Sequence, residues 1–350
     1  MMDFRFPFGS PFNKPVALTF AVLLLLACFS LTTPSARAQG GEDDETLRIN
    51  TALVQLNVGV VDRQGRAITT LSPNDFVIYE EGVRQPIQSF EPATAPFSLV
   101  LLLDMSGSTL SFRATLKQAA IRFIDALAQG DRVAVIAFND KVKTLAGFSS
   151  DYSKIVHAIQ YAEGKGGTEL YKALAVSLEE LGKEKNRRKA IVVLSDGLDT
   201  QMRDADRTAS AGAQTNDTAI AAIKPEASQS LNTVLNAADR QGVTIYPLAL
   251  PSGDPKRIAD PNPQQVAIYT SARARMQALA DRTGGRLNQI RRLEDLGYLY
   301  AEVAADLRTL YSITYRPTGD APRAKGWRAI RIEVARPELI ARTRPGYFAR

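Results

Sequence analysis

Three kinds of hydrophobic periodicity divide the chain. Over residues 47–90, Val54, Leu56, Val58 and Val60 alternate with other residues, and Asp62-Arg63-Gln64-Gly65-Arg66 has the composition of a turn. This pattern predicts a small antiparallel β unit. A second strand is expected over residues 75–80, stopped at Glu81-Gly82, with residues 91–96 as a Pro-containing linker. From 97 to 310 the period changes. Continuous apolar runs at 99–103 and 190–194 predict buried strands, while Leu116, Ala119, Ala120, Phe123, Ile124 and Leu127 fall at helical spacing. Val133, Val135, Ala137 and Phe138 predict another strand; helices are expected through Ile155, Val156 and Ile159 and through Leu170, Leu174, Leu178 and Leu181. Later strands are expected over 243–250 and 286–290. Strands alternating with helices are the pattern of a parallel sheet covered on both faces. Residues 311–350 return to β character through Tyr311-Ser312-Ile313-Thr314-Tyr315 and the run 327–334.

Neither terminal β segment is long enough to bury a core alone. They are therefore expected to pack together as one small β-sandwich, formed by residues 39–96 and 311–350, into which an α/β domain spanning 97–310 is inserted. The fold class is α/β, with a Rossmann-like, doubly wound, mostly parallel sheet. Two segments break the pattern. Residues 200–229 are polar, Ala-rich and without an apolar face, which predicts a flexible insertion, either disordered or a partner-binding flap. Residues 253–265, with Pro255, Pro261 and Pro263, are expected to form a second long loop.

The first 38 residues have the layout of a targeting segment. Arg5 and Lys14 precede an apolar stretch, and Ala36-Arg37-Ala38 is a small-x-small cleavage signal. Export to the periplasm or the medium is expected, with the mature chain beginning at Gln39. Leu25-Leu26-Ala27-Cys28 also has the form of a lipobox, in which Cys28 would be acylated and tether the protein to a membrane. Under simple cleavage the single cysteine leaves with the leader and disulfides contribute nothing. The net charge is +6, from 43 Lys and Arg against 37 Asp and Glu. Loss of Arg5, Lys14, Arg37 and Asp3 lowers those counts to 40 and 36, leaving +4. The densest basic run, Lys183-Glu184-Lys185-Asn186-Arg187-Arg188-Lys189, lacks an aromatic residue on which a base could stack, so a solvated connector is expected and no nucleic-acid partner.

The candidate chemistry lies at strand ends. Asp104-Met105-Ser106-Gly107-Ser108 follows one apolar strand, Ser195-Asp196-Gly197 follows another, and Gly166-Gly167-Thr168 supplies a hydroxyl in a Gly-rich loop. In open α/β sheets ligands bind outside the carboxyl ends of the strands. These hard oxygen donors suit magnesium or manganese, with calcium a poorer match. Together the three segments resemble the von Willebrand factor A domain and its metal-ion-dependent adhesion site (MIDAS), over roughly residues 97–310. The resemblance implies that Asp104, Ser106, Ser108, Thr168 and Asp196 bind one divalent cation whose shell is completed by an Asp or Glu of a protein partner. Taken with the leader-like segment, the expectation is an exported adhesion or assembly module and not an enzyme. Bacterial exported proteins related to von Willebrand factor A share the wider layout, including Leu279 to Gly285 and Arg344-Pro345-Gly346-Tyr347.

Two other function classes stay open on the residues alone. An envelope scaffold would bind through its β-sandwich and carry a vestigial metal site. A metal-dependent hydrolase needs a positioned base, and the only histidine, His157, falls within a helical stretch away from the strand ends.

Overall fold

The computed structural model describes residues 53–185, 187–318 and 325–349. The targeting segment over residues 1–38 and Cys28 lie outside the described residues. In chain order, β1 (Val54–Val61), β2 (Phe76–Glu80), β3 (Val83–Gln85) and β4 (Ile87–Glu91) come first. Next are β5 (Phe97–Asp104), α1 (Arg113–Asp125), β6 (Arg132–Phe138), β7 (Val142–Ser149), α2 (Tyr152–Gln160) and α3 (Leu170–Gly182). The chain continues through β8 (Arg188–Ser195), α4 (Thr200–Ala209), α5 (Asn216–Ala222), α6 (Gln229–Gln241), β9 (Val243–Ala249) and α7 (Pro263–Thr283). It ends with β10 (Asn288–Gln289), α8 (Leu296–Leu307), β11 (Leu310–Tyr315), β12 (Gly326–Val334), β13 (Ile340–Arg342) and β14 (Gly346–Ala349).

The central sheet has the order β10-β9-β8-β5-β6-β7. Its pairings are parallel except that β7 runs antiparallel on β6 at one edge. β5 shows why the apolar runs lack alternation. Leu99, Leu101 and Leu103 face one core, with Phe123 of α1, Ile155 of α2 and Tyr300 of α8; Val100 and Leu102 face the other, with Leu174 of α3 and Leu235 of α6. A strand covered on both faces has no solvent side to leave polar.

The terminal β segments build two four-stranded sheets, β13-β1-β11-β4 and β14-β12-β2-β3. Their inner faces share one core: Leu56 and Val58 of β1, Tyr311 and Ile313 of β11, Phe76 and Ile78 of β2, and Ile330 of β12. The buried Glu80 carboxylate in this core accepts hydrogen bonds from the hydroxyls of Tyr315 (2.6 Å) and Tyr347 (3.2 Å). Arg188, at the start of β8, fastens the places where the chain enters and leaves the α/β layer. It donates to the carbonyls of Leu307 (2.8 Å) and Leu310 (2.7 Å), and to that of Ala95 in the incoming linker.

Three expectations are corrected. Residues 200–229 are not a structureless insertion but contain α4, α5 and the approach to α6. Their buried apolar set is short: Ala219 of α5 and Ile223, just past its end, pack on Ala267 and Ile268 of α7. Asp206 of α4 pairs with Arg275 of α7 in a two-point ion pair at 2.6 Å on each arm, both side chains 5% exposed. The basic connector is also only partly solvated. Glu184 is buried and accepts from Ser98 Oγ (2.7 Å) and Arg132 Nη1 (2.9 Å), which leaves Arg187 and Arg188 bound into the structure rather than free on a surface. The strand expected over 286–290 shrinks to β10, two residues long.

Asp206→Asn leaves the Arg275 charge buried without its counter-ion, and should lower unfolding stability in urea by about 3–5 kcal/mol. The double variant Asp206→Leu with Arg275→Met, which removes both charges, is expected to recover most of that loss.

Candidate metal centre

Parallel pairing of β5 and β8 sets Leu103 opposite Leu194, so the next residues of each strand meet at the same rim. Ser195 Oγ donates to Asp104 Oδ2 at 2.7 Å, and the Ser106 backbone N–H donates to Asp104 Oδ1 at 2.9 Å. The Gly197 N–H in turn donates to Ser195 Oγ at 3.1 Å. Asp196, one residue past the strand, accepts from the Leu198 N–H at 3.0 Å. Both carboxylates are buried.

The hydroxyl donors come from loops held against this rim. Ser106 Oγ and Ser108 Oγ lie 3.1 Å apart. The loop that carries Thr168 docks on the Asp104 loop through the Gly107 N–H, which donates to Gly166 O at 3.1 Å. Gly164 permits the approach, since a Cβ there would come within 2.7 Å of the Met105 carbonyl oxygen. The far side of Thr168 is tied to the start of α4: its N–H donates to Thr200 Oγ1 and its carbonyl accepts from the Thr200 N–H, each at 2.9 Å. Ser106, Ser108, Thr168 and Asp196 thus line one cleft of about 220 Å³, together with Arg203 and Tyr269. Asp104 does not line it and sits beneath, joined to it through Ser106.

Arg113, at the first position of α1, is the residue that sequence reasoning missed most clearly. Its guanidinium donates to the carbonyls of Gly164 (2.9 Å), Met105 (2.9 Å) and Ser106 (3.1 Å), clasping the two loops together. A cation at a helix N-terminus opposes the helix dipole, and that misplacement was the available signal. Ser195 was visible only as part of Ser-Asp-Gly; its role as a donor to Asp104 needs the strand register.

Electrostatically the two carboxylates have no basic side chain among the described residues paired with them. Burial raises Asp104 to about 7, the nearby Asp196 charge adds to the rise, and hydrogen bonds from Ser106 and Ser195 oppose it. Burial also raises Asp196, against hydrogen bonds from Leu198 and Ser108 and the more distant charge of Arg273. Among the described residues no ion pair joins either carboxylate to a base. Two buried like charges need a cation or a proton. The donor set, two carboxylates and three hydroxyls, fits a hard dication. Among the described residues no group of three or more His, Cys, Asp or Glu is placed to hold a metal ion.

Residues 99–198 match the family described as von Willebrand factor type A domain. Over 126 residues the chain is 33% identical to an uncharacterized protein of Synechocystis sp. (strain ATCC 27184 / PCC 6803 / Kazusa), covering 35% of this chain and only 30% of that relative. Among solved structures it is similar to a von Willebrand factor type A protein from Catenulispora acidiphila (12% identity, TM-score 0.45, 86% of this chain and 74% of that one). It is similar also to an aerotolerance-related membrane protein from Bacteroides fragilis (15% identity, TM-score 0.43, 60% and 98%). A third likeness is to proximal thread matrix protein 1 of the mussel byssus, in a structure with a zinc-occupied MIDAS motif (14% identity, TM-score 0.46, 65% and 49%). No helix among the described residues is long and apolar enough to cross a membrane.

Two outcomes are expected at this site. Without metal, burial and mutual repulsion hold a proton on the Asp104–Asp196 pair towards neutral pH, whereas the carboxyl of the unfolded chain releases it near 3.8. Stability of the metal-free protein is therefore fullest on the acid side of this window and is lost as pH rises through it. A dication must displace that proton, so the melting-temperature rise on adding Mn²⁺ should be small at about pH 5.5 and large at about pH 8. A pH-independent rise would contradict the assignment. Separately, Arg113→Gln should weaken Mn²⁺ binding about tenfold or more by loosening both loops, measured by electron paramagnetic resonance, with Arg113→Lys only partly restoring it.

Proposed function

We propose, with residues 99–198 as a von Willebrand factor type A domain, that this protein is an exported adhesion or assembly module that binds a protein partner through a divalent cation. Domains of this type generally mediate metal-dependent protein interaction. The observation that carries the reading is the placement of two buried carboxylates at neighbouring strand ends, beneath hydroxyl donors that open on a cleft rather than a sealed core.

Asp104, Asp196, Ser106, Ser108 and Thr168 would hold the ion, Mg²⁺ or Mn²⁺ in preference to Ca²⁺. When bound, the ion supplies positive charge and a position that an anion can take. Neutral hydroxyls leave that charge less quenched than further carboxylates would, so an Asp or Glu side chain of the partner is the matching ligand. Ser195 and the Ser106 N–H orient the Asp104 carboxylate, and Arg113 keeps the two donor loops in register. Export rests on the leader-like residues 1–38; attachment to a membrane would require acylation of Cys28.

A hydrolase reading finds no histidine base among the side chains that line this cleft. His157 lies on α2 with its ring against Tyr161, 4.4 Å between centroids, and does not line the cleft. The Ser195 hydroxyl is committed to Asp104.

Asp104→Asn is the discriminating variant, because an amide can still accept from the Ser106 N–H and donate to Ser195 Oγ while it removes the charge. It should match or exceed wild type in melting temperature in chelator at about pH 8, and lose most of the Mn²⁺-induced rise. Envelope proteins retained by the wild type in Mg²⁺ should elute with chelator and be absent from the Asp104→Asn capture. Equal metal response and equal capture by both proteins would remove the cleft from the function.

A further inference from the structure

We propose that the cleft is a two-point site for a ligand carrying two neighbouring acidic groups, one meeting the metal and the other pairing with Arg203. This rests on the reading of the metal centre given above and adds the chemistry of the partner: a protein segment with two acidic side chains close together rather than a single Asp or Glu.

Arg203 lines the same cleft as Ser106, Ser108, Thr168 and Asp196, so a ligand seated on the metal lies within its reach. Its guanidinium is poorly used by the protein itself. The one ion pair seen for it among the described residues is a 3.6 Å approach to its chain neighbour Asp204, a 56% exposed side chain that Arg207 also contacts at 3.3 Å. Arg203 Nε has no hydrogen-bond partner, while the side chain as a whole is 42% exposed and so open to a ligand. An exposed pairing of the kind it makes with Asp204 is worth little.

Position adds to the case. Arg203 stands in the first turns of α4, where a cation opposes the helix dipole, so its place is not explained by the stability of the helix. The same helix start is bonded to the metal loop through Thr200 and Thr168 and is anchored below by the Asp206–Arg275 pair. The guanidinium is thereby carried on a rigid element at a fixed offset from the metal, as recognition of a second charge requires. Tyr269 completes this side of the cleft. It lines the cleft together with Asp196 and Arg203. A cleft of about 220 Å³ is small for a drug-sized molecule but suits acidic side chains.

Glutarate and butyrate, which share a carboxylate and similar length, separate the two points. With the Mn²⁺-loaded protein, calorimetry should show glutarate binding about tenfold or more tightly than butyrate. In Arg203→Gln, which should still bind Mn²⁺, the ratio should fall to about one, and Arg203→Lys should restore part of it. A ratio of about one in wild type, or an undiminished ratio in Arg203→Gln, overturns the proposal while leaving the metal centre standing. Absence of Mn²⁺ binding by wild type overturns both.

Discussion

Two carboxylates buried side by side impose the main constraint on this molecule. In a medium that screens charge poorly, Asp104 and Asp196 cannot both ionise without a counter-charge, and the surrounding structure is arranged to hold them there regardless. The requirement begins in the sheet. Only a parallel register that sets β5 and β8 level brings the end of one strand against the hydroxyl of Ser195 and leaves Asp196 one step beyond it. It continues in the loops, where backbone N–H groups rather than basic side chains meet the carboxylates directly. Two guanidiniums close by are turned to carbonyls instead: Arg113 clasps the loops and Arg273 Nη2 donates to Leu250 O at 3.3 Å. The negative charge is thus framed by neutral donors, leaving room for a ligand of opposite sign.

How much of this was legible in the chain depended on whether the signal was local. The apolar runs of β5 and β8 have no alternation because both faces are covered, and they were readable as buried strands; so were the hydroxyls and carboxylates that follow them. The helices α4 and α5 were not, because the buried side chains within them are one alanine, Ala219, and one charged residue, Asp206, whose partner lies on a distant helix. Helix α7 was missed for a different reason. Its Pro-rich approach suggested a loop, yet Asn262 Oδ1 accepts from the Gln265 N–H at 2.8 Å while Gln265 Oε1 accepts from the Asn262 N–H at 3.0 Å, a reciprocal cap visible as N-P-Q-Q. Arg113 and Arg203 carried only a negative signal, a cation where a helix dipole disfavours one.

A second polar centre lies where the α/β layer meets the sandwich. Asp239 of α6 is bound by Arg282 of α7 at 2.6 Å and by Arg344 between β13 and β14 at 3.3 Å. The Arg282 guanidinium also lies against both Trp327 and Phe348, 4.7 and 4.8 Å from the centres of two rings that touch each other. Those two rings are partly exposed yet account for themselves as the cover of this ion pair. Asn57 of β1 adds a contact on the same side, donating to Gly242 O and Thr244 Oγ1. The sandwich is therefore attached through directional polar bonds as well as by the chain crossings that Arg188 secures.

The pairing of β1 with β11 also sets an order of events in time. Gln55 and Ser312, hydrogen-bonded across that pair, are 257 positions apart. Ribosomes deliver β1 first, and its partner strand only after the whole α/β layer has been made. Closing so long a loop is slow unless the intervening segment has already condensed, because its entropy must be lost before the contact repays it. The α/β layer, rich in local strand–helix–strand contacts, can condense first and bring the two ends together at the Arg188 junction. Until then β1 has unpaired edges of the kind that join other chains. The final steps of synthesis are thus the interval in which this protein is most exposed to self-association, and the speed with which the α/β layer forms decides how long that interval lasts.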